Sequence, residues 1–104
     1  MARFIYLYRG PVPDLTPEQG AEREHAFAAW IDKVGATLID IGSPFGASAS
    51  VRGDGTEGTA ADLSGYTIVD ADDLAAAKAF TDGLPFLSGN DGECAVDVFE
   101  LRPM

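Results

Sequence analysis

The sequence is short of the residues that most often carry chemistry. Among its 104 residues are one cysteine, Cys94, and one histidine, His25. A single cysteine forms no internal disulfide, and a lone Cys with a lone His makes no metal-ligand cluster, so neither a disulfide framework nor a metal site is expected. Basic residues are scarce too: seven Lys and Arg against seventeen Asp and Glu give a formal net charge of -10. With no basic stripe, that balance repels phosphate, and neither nucleic acid nor an anionic membrane is an expected partner. No apolar run approaches the roughly 18 residues that span a bilayer, and the apolar part of MARFIYLYRGPVPD is too short for a signal-peptide core. The expectation is a single soluble, cytoplasmic domain over residues 1–104, without a cofactor, its acidity serving solubility.

What the chain does contain is a clear succession of elements. RFIYLYRG is rich in aromatic and β-branched residues and stops at Gly10-Pro11, which predicts a first strand over Ala2 to Tyr8. PVPDLTPEQG reads as a connection that closes on a helix start: Thr16 fits the N-cap, Pro17 the first helical position and Gln19 the third, a capping-box pattern. The helix is predicted from Pro17 to Val34 and stopped by Gly35, with Phe27, Trp30, Ile31 and Val34 at the spacing of one buried stripe. Thr37 to Ile41 reads as a second strand, broken by Gly42 and Pro44.

From Gly46 to Gly65 the chain is small and polar, a long loop with a short edge hairpin around ASVRGDGTEGT. Its RGD triplet, an adhesion signal in other settings, reads here as a turn. Tyr66 to Val69 is a predicted third strand, Asp70 or Asp72 caps a second helix over about Asp73 to Thr81, and Gly83 ends it. Asn90-Asp91-Gly92 is a turn signal before a last strand over Cys94 to Leu101.

The order β-α-β-β-α-β predicts an α+β, ferredoxin-like fold in which a four-stranded antiparallel sheet carries both helices on one face. The other face should then be polar, yet both are apolar. Phe4 and Tyr6 alternate with Ile5 and Leu7, Val96 and Val98 with Ala95, Phe99 and Leu101, and Leu38 with Ile39 and Ile41. Helices cover only one face, so the second is expected to meet another copy of the chain in a homodimer packed sheet to sheet. An apolar ligand over the open face is the competing explanation.

Four segments, REH, LIDIGSPFG, SGYTIVDADDLAAAKAF and CAVDVFELRP, span nearly the full chain and resemble the YCII-related domain family of the dimeric α+β barrel superfamily. The resemblance implies a ferredoxin-like protomer, a dimer whose sheets enclose a barrel-like interior, and a cleft between the first helix and the sheet. One branch of that family looks like dehydrochlorinases of chlorinated hydroxyquinols, in which a first-helix histidine pairs with an aspartate just before a proline after the second helix. His25 falls at the histidine's place, after Arg23-Glu24. The residue before Pro85 is Leu84, and the nearest aspartate is Asp82.

In such a dyad the carboxylate orients the imidazole and stabilises its protonated form, poising a base for a phenolic or C–H proton. The helical count places His25 about 200° from Phe27, on the side of Ala21, Ala28 and Asp32, which makes it a solvent-facing or dimer-rim residue. Tyr6, Tyr8 and Tyr66, on neighbouring strands, either offer phenols to a ligand in the cleft or fill a sheet face with their hydroxyls at its edge. Cys94 and Trp30 read as core, and the glycines of SPFGASASVRGDG lack the spacing of a phosphate cradle. Two functions follow. One is a cofactor-free lyase or isomerase on a small aromatic or enolisable substrate, with His25 as base and Asp82 or Asp40 orienting it. The other is a non-catalytic dimeric module that binds a small ligand or another protein.

Overall fold

A computed structural model of the chain describes residues 2–10, 16–87 and 94–103. In chain order its elements are β1 (Ala2–Arg9), α1 (Pro17–Val34), β2 (Leu38–Asp40), β3 (Ser50–Val51), β4 (Glu57–Gly58), β5 (Leu63–Ala71), α2 (Leu74–Ala79) and β6 (Ala95–Leu101). Short 3₁₀ turns over Gly35–Thr37 and Pro85–Leu87 join them. β2, β5, β1 and β6 form one sheet in that order, every neighbouring pair antiparallel, while β3 and β4 make a separate hairpin. The architecture is α+β, with two helices and a four-stranded antiparallel sheet, and is compatible with a ferredoxin-like fold.

Alternation along the strands sorts the apolar residues. Phe4, Tyr6 and Tyr8 of β1 are buried beneath the helices with Val69 and Ala71 of β5. The register sets Phe4 opposite Val69, Tyr6 between Thr67 and Val98, and Tyr8 between Gly65 and Val96. The opposite parity, Ile5, Leu7, Ile68, Phe99 and Leu101, looks away from the helices; Phe99 is 54% exposed and Leu101 39%. Ion pairs stand at either end of that open face, Arg3–Asp70 and Arg9–Asp97, each at 3.2 Å.

α1 begins as its sequence predicts. Thr16 Oγ1 accepts from the Gln19 amide at 3.2 Å and Gln19 Oε1 accepts from the Thr16 amide at 3.1 Å, a complete capping box. Trp30 and Val34 carry its stripe into the core, with Phe27 and Ile31 packed at the margin. Two buried polar atoms tie this core to carbonyls at the end of α2. Tyr6 Oη donates to Ala77 O at 2.5 Å, and Trp30 Nε1 donates to Phe80 O at 2.7 Å. Those carbonyls are among the ones a helix leaves without internal partners, so each bond satisfies two groups at once. Among the described residues no buried side-chain nitrogen or oxygen is left without a partner.

Several boundaries differ from the sequence reading, each for a local reason. β2 is shorter than Thr37 to Ile41, because Thr37 Oγ1 bonds back to Val34 O at 2.6 Å within the 3₁₀ turn and Asp40 Oδ1 takes the Gly42 amide at 2.8 Å. β5 is longer than Tyr66 to Val69, since its register against β1 runs from Leu63 to Ala71. The cap of α2 is Asp73, which accepts the Ala76 amide at 2.8 Å, rather than Asp70, which pairs with Arg3, or Asp72. α2 ends at Ala79, and the chain tightens into three-residue hydrogen bonds, Thr81 to Lys78 and Asp82 to Ala79. The RGD triplet is a turn at the tip of the β3–β4 hairpin, where Gly55 N donates to Arg52 O and Asp54 Oδ1 accepts from Thr56. The first half of the connection before Thr16 and the Asn90-Asp91-Gly92 turn lie outside the described residues. No helix among the described residues is long and apolar enough to cross a membrane.

Candidate functional site

Spacing along α1 decides where the helix closes on the sheet and where it does not. Arg23, Phe27, Trp30 and Val34 follow one another at four, three and four residues, a single helical face. Trp30 and Val34 meet the sheet near α2. Towards the N-terminus the same face stands over Tyr8 and leaves a cleft of about 420 Å³. Its walls are Arg23 and Phe27 of α1, Tyr8 of β1, Ser64–Tyr66 of β5, Ile41–Pro44 after β2, and Phe86 from the 3₁₀ turn.

The segment after β2 is shaped by two glycines. Gly42 has φ +79°, and a Cβ there would lie 1.7 Å from Tyr66 O, so no side chain fits. A Cβ on Gly65 would lie 3.1 Å from Ser43 O and 3.4 Å from the Tyr8 ring, so its absence lets the segment lie against the edge of β5. There Pro44 bridges Gly65, Phe45 N donates to Ser64 O at 2.9 Å, and the Phe45 ring stacks on Tyr66 with centroids 5.9 Å apart.

Polar contacts fix the floor. Thr67 Oγ1 donates to Ile41 O at 2.8 Å, which commits its proton, so Tyr8 Oη donates to Thr67 Oγ1 at 2.5 Å. Burial raises the Tyr8 phenol above its ordinary value, and it pushes Tyr6 up to about 12 with a smaller contribution from Tyr8. The Tyr66 phenol is raised as well, by its hydrogen bond to Asp40 and the charge of that carboxylate. All three tyrosines are therefore neutral hydrogen-bond donors near neutral pH rather than bases.

Of the residues the sequence put forward, Tyr8 and Tyr66 line the cleft. Tyr6 does not: its hydroxyl lies beneath α2 on Ala77 O. His25 is exposed on α1, as the helical count predicts, and forms no hydrogen bond or ion pair among the described residues. Asp82 is held elsewhere, its carbonyl 2.9 Å and its carboxylate 3.5 Å from Lys33 Nζ. Lys33 lies about 12 Å further along α1 than His25 at the usual helical rise, so His25 and Asp82 are not brought together. Leu84, just before Pro85, is 2% exposed in the core, as are Trp30 at 2% and Cys94 at 9%. Asp40 faces Tyr66 and the Gly42 amide. Among the described residues no group of three or more His, Cys, Asp or Glu is placed to hold a metal ion.

Arg23 and Phe86 are the residues that sequence reasoning missed. The signal for Arg23 was available: carried back four residues from Phe27, the apolar stripe lands on it. Its guanidinium lies 5.9 Å over the centroid of the Phe86 ring. Phe86 itself packs on Tyr8 with centroids 5.1 Å apart. The arrangement is an aromatic-walled cleft with one fixed positive charge, suited to holding a small molecule by its apolar body and one polar end. Neither a family model nor a curated protein matches the chain.

Proposed function

We propose that the protein is a YCII-related, homodimeric module that binds a small amphipathic molecule in the cleft between α1 and the edge of β5. The observation that carries this reading is the cleft itself: about 420 Å³, walled by Tyr8, Phe27 and Phe86, with its polar floor already satisfied internally. Its volume falls within the ~300–1,000 Å³ usual for small-molecule sites. The dimer is supported by the open face of the sheet, where Ile5, Leu7, Ile68, Phe99 and Leu101 form an apolar patch between two ion pairs. Such a face meets a second copy with the same pattern, in the manner of an isologous interface.

Binding has more support than proton transfer. The pre-proline position holds the core residue Leu84, Asp82 is engaged by Lys33, and His25 is not among the residues that line the cleft. A general base must lie within hydrogen-bond reach of the proton it takes, directly or through one water.

The test is a titration of the ¹⁵N-labelled protein with p-cresol and with phenylacetamide, both neutral. Saturable shifts confined to the amides of Ile41, Gly42 and Gly65 are the expected result. Shifts that fail to saturate, or that gather on the Phe99 face, overturn the cleft as the binding site.

A further inference from the structure

We infer that the cleft selects aromatic monocarboxylates, with Arg23 as the group that holds the carboxylate; this rests on the reading of the cleft as a ligand site. Arg23 occupies a place on α1 where the buried stripe calls for a hydrophobe, and it is half-buried there. Arg3, Arg9 and Lys33 each have an acidic partner, whereas of the four basic residues without an ion pair among the described residues, Arg52, Lys78 and Arg102 are exposed and only Arg23 is partly buried. The helix supplies none either: the positions three and four residues away are Gln19, Gly20, Ala26 and Phe27. Glu22 and Glu24 are its immediate neighbours in sequence, and adjacent positions do not share a helical face.

A half-buried cation has lost part of its hydration, and with no anion paired to it among the described residues it favours an anionic ligand over a neutral one. The guanidinium lies 5.9 Å over the Phe86 ring at the wall of the cleft, and its planar fork of donors matches the two-point hydrogen bonding that a carboxylate returns. A single guanidinium balances a single negative charge. A dianion such as a phosphate monoester would carry excess charge into an apolar cleft of a chain whose net charge is already -10. The remaining walls choose the body of the ligand. Tyr8, Phe27 and Phe86 present ring faces and edges, which favour a flat ring over a saturated one of the same size.

Three probes of similar size separate these statements: phenylacetate, phenylacetamide and cyclohexylacetate, each titrated against the ¹⁵N-labelled protein while the Gly42 and Gly65 amides are followed. Phenylacetate is expected to bind at least about tenfold tighter than phenylacetamide, the scale of a charge-assisted hydrogen bond. It should also bind several-fold tighter than cyclohexylacetate. In Arg23→Met the advantage of the acid over the amide disappears, and Arg23→Lys retains only part of the advantage. The dispersion of the spectrum reports whether Arg23→Met folds, with Arg23→Gln as the second variant.

Equal affinity for acid and amide, or an acid preference that survives in Arg23→Met, overturns the role of Arg23 and leaves the cleft reading standing. Cyclohexylacetate binding as well as phenylacetate overturns the aromatic preference. No saturable shift with any of the three overturns both this inference and the cleft reading.

Discussion

One face of the sheet lies beneath the helices, and its two ends differ. Under α2 and the C-terminal half of α1 it is closed: Trp30 and Tyr6 pack with ring centroids 6.4 Å apart, and each has its polar atom on a carbonyl near the end of α2. Under the N-terminal half of α1 the same strands floor a cleft, where Tyr8 and Thr67 bond to one another and onward to Ile41 while Arg23 forms no ion pair among the described residues. The difference teaches where folding and binding divide. At the closed end both partners of every buried polar pair come from the chain, so that end is complete by itself. At the open end one charged group has no partner among the described residues, and that is where an outside molecule adds the most.

The sharpest way to break this comparison is to truncate one aromatic at each end. Trp30→Ala removes a fully buried ring and leaves Phe80 O without its donor, with an expected cost of about 3–5 kcal/mol. Phe27→Ala removes a ring that is half-buried at the cleft, and should cost clearly less, about 2 kcal/mol. Urea midpoints at equal m-values measure both. Equal losses would mean that the cleft end is as much a part of the core as the closed end.

The second prediction concerns the opposite face of the same sheet. Phe99 is more than half exposed, so Phe99→Lys should change the stability of the protomer by no more than about 0.5 kcal/mol. In a sheet-to-sheet dimer it places a charge within the interface of both copies, and association is expected to weaken at least about a hundredfold. Sedimentation at micromolar concentration should give twice the 10.9 kDa of one chain for the wild type and a single chain for the variant. A wild-type protein that sediments as a monomer ends the dimer proposal.

Much of this frame can be read from the residues, and the reasons are physical. The capping box at Thr16, the stripe through Trp30 and Val34, and the alternation in β1 are short-range patterns that follow from helix and strand geometry. The outward position of His25 comes from the same helical count. What the sequence does not display is the cleft. It depends on the segment after β2 returning along the edge of β5, on the Cβ that Gly42 lacks, and on Phe86, whose place relative to Tyr8 is set by tertiary packing. Asp82 illustrates the same limit: proximity to Pro85 in sequence makes it a plausible partner for His25, while the turn after α2 delivers it to Lys33. Pattern reading finds elements; pairing of distant side chains needs the fold.

pH offers a third, smaller contrast, because the phenol at the closed end is the one most strongly affected. The folded state holds the Tyr6 proton to about pH 12, against an ordinary value of 10.0. The unfolded chain therefore ionises first, the folded state binds more protons in that interval, and stability falls as pH rises. The contribution is fully present below about pH 10 and is lost between about pH 10 and 12, on the order of 2 kcal/mol. Urea denaturation across that range should show the decline in the wild type and a flatter profile in Tyr6→Phe, which also loses the bond to Ala77 O and starts from a lower stability. A profile just as steep in Tyr6→Phe would move the effect to Tyr8, whose phenol burial also raises.

The smallest expected effect is at Asp82. Its carboxylate is 90% exposed and meets Lys33 Nζ at 3.5 Å, and an exposed pair of this kind contributes about 0–1 kcal/mol. The backbone carbonyl of the same residue accepts from Lys33 at 2.9 Å and survives the substitution, so Asp82→Asn should fall at the bottom of that range. It should also leave binding at the cleft unchanged, because neither Asp82 nor Lys33 lines it. This variant costs little to make and separates the two functions the sequence allowed. Intact stability with intact phenylacetate binding keeps the aspartate in a surface contact at the far end of α1. Intact stability with binding lost would place Asp82 back in the functional site and return His25 to consideration as its partner.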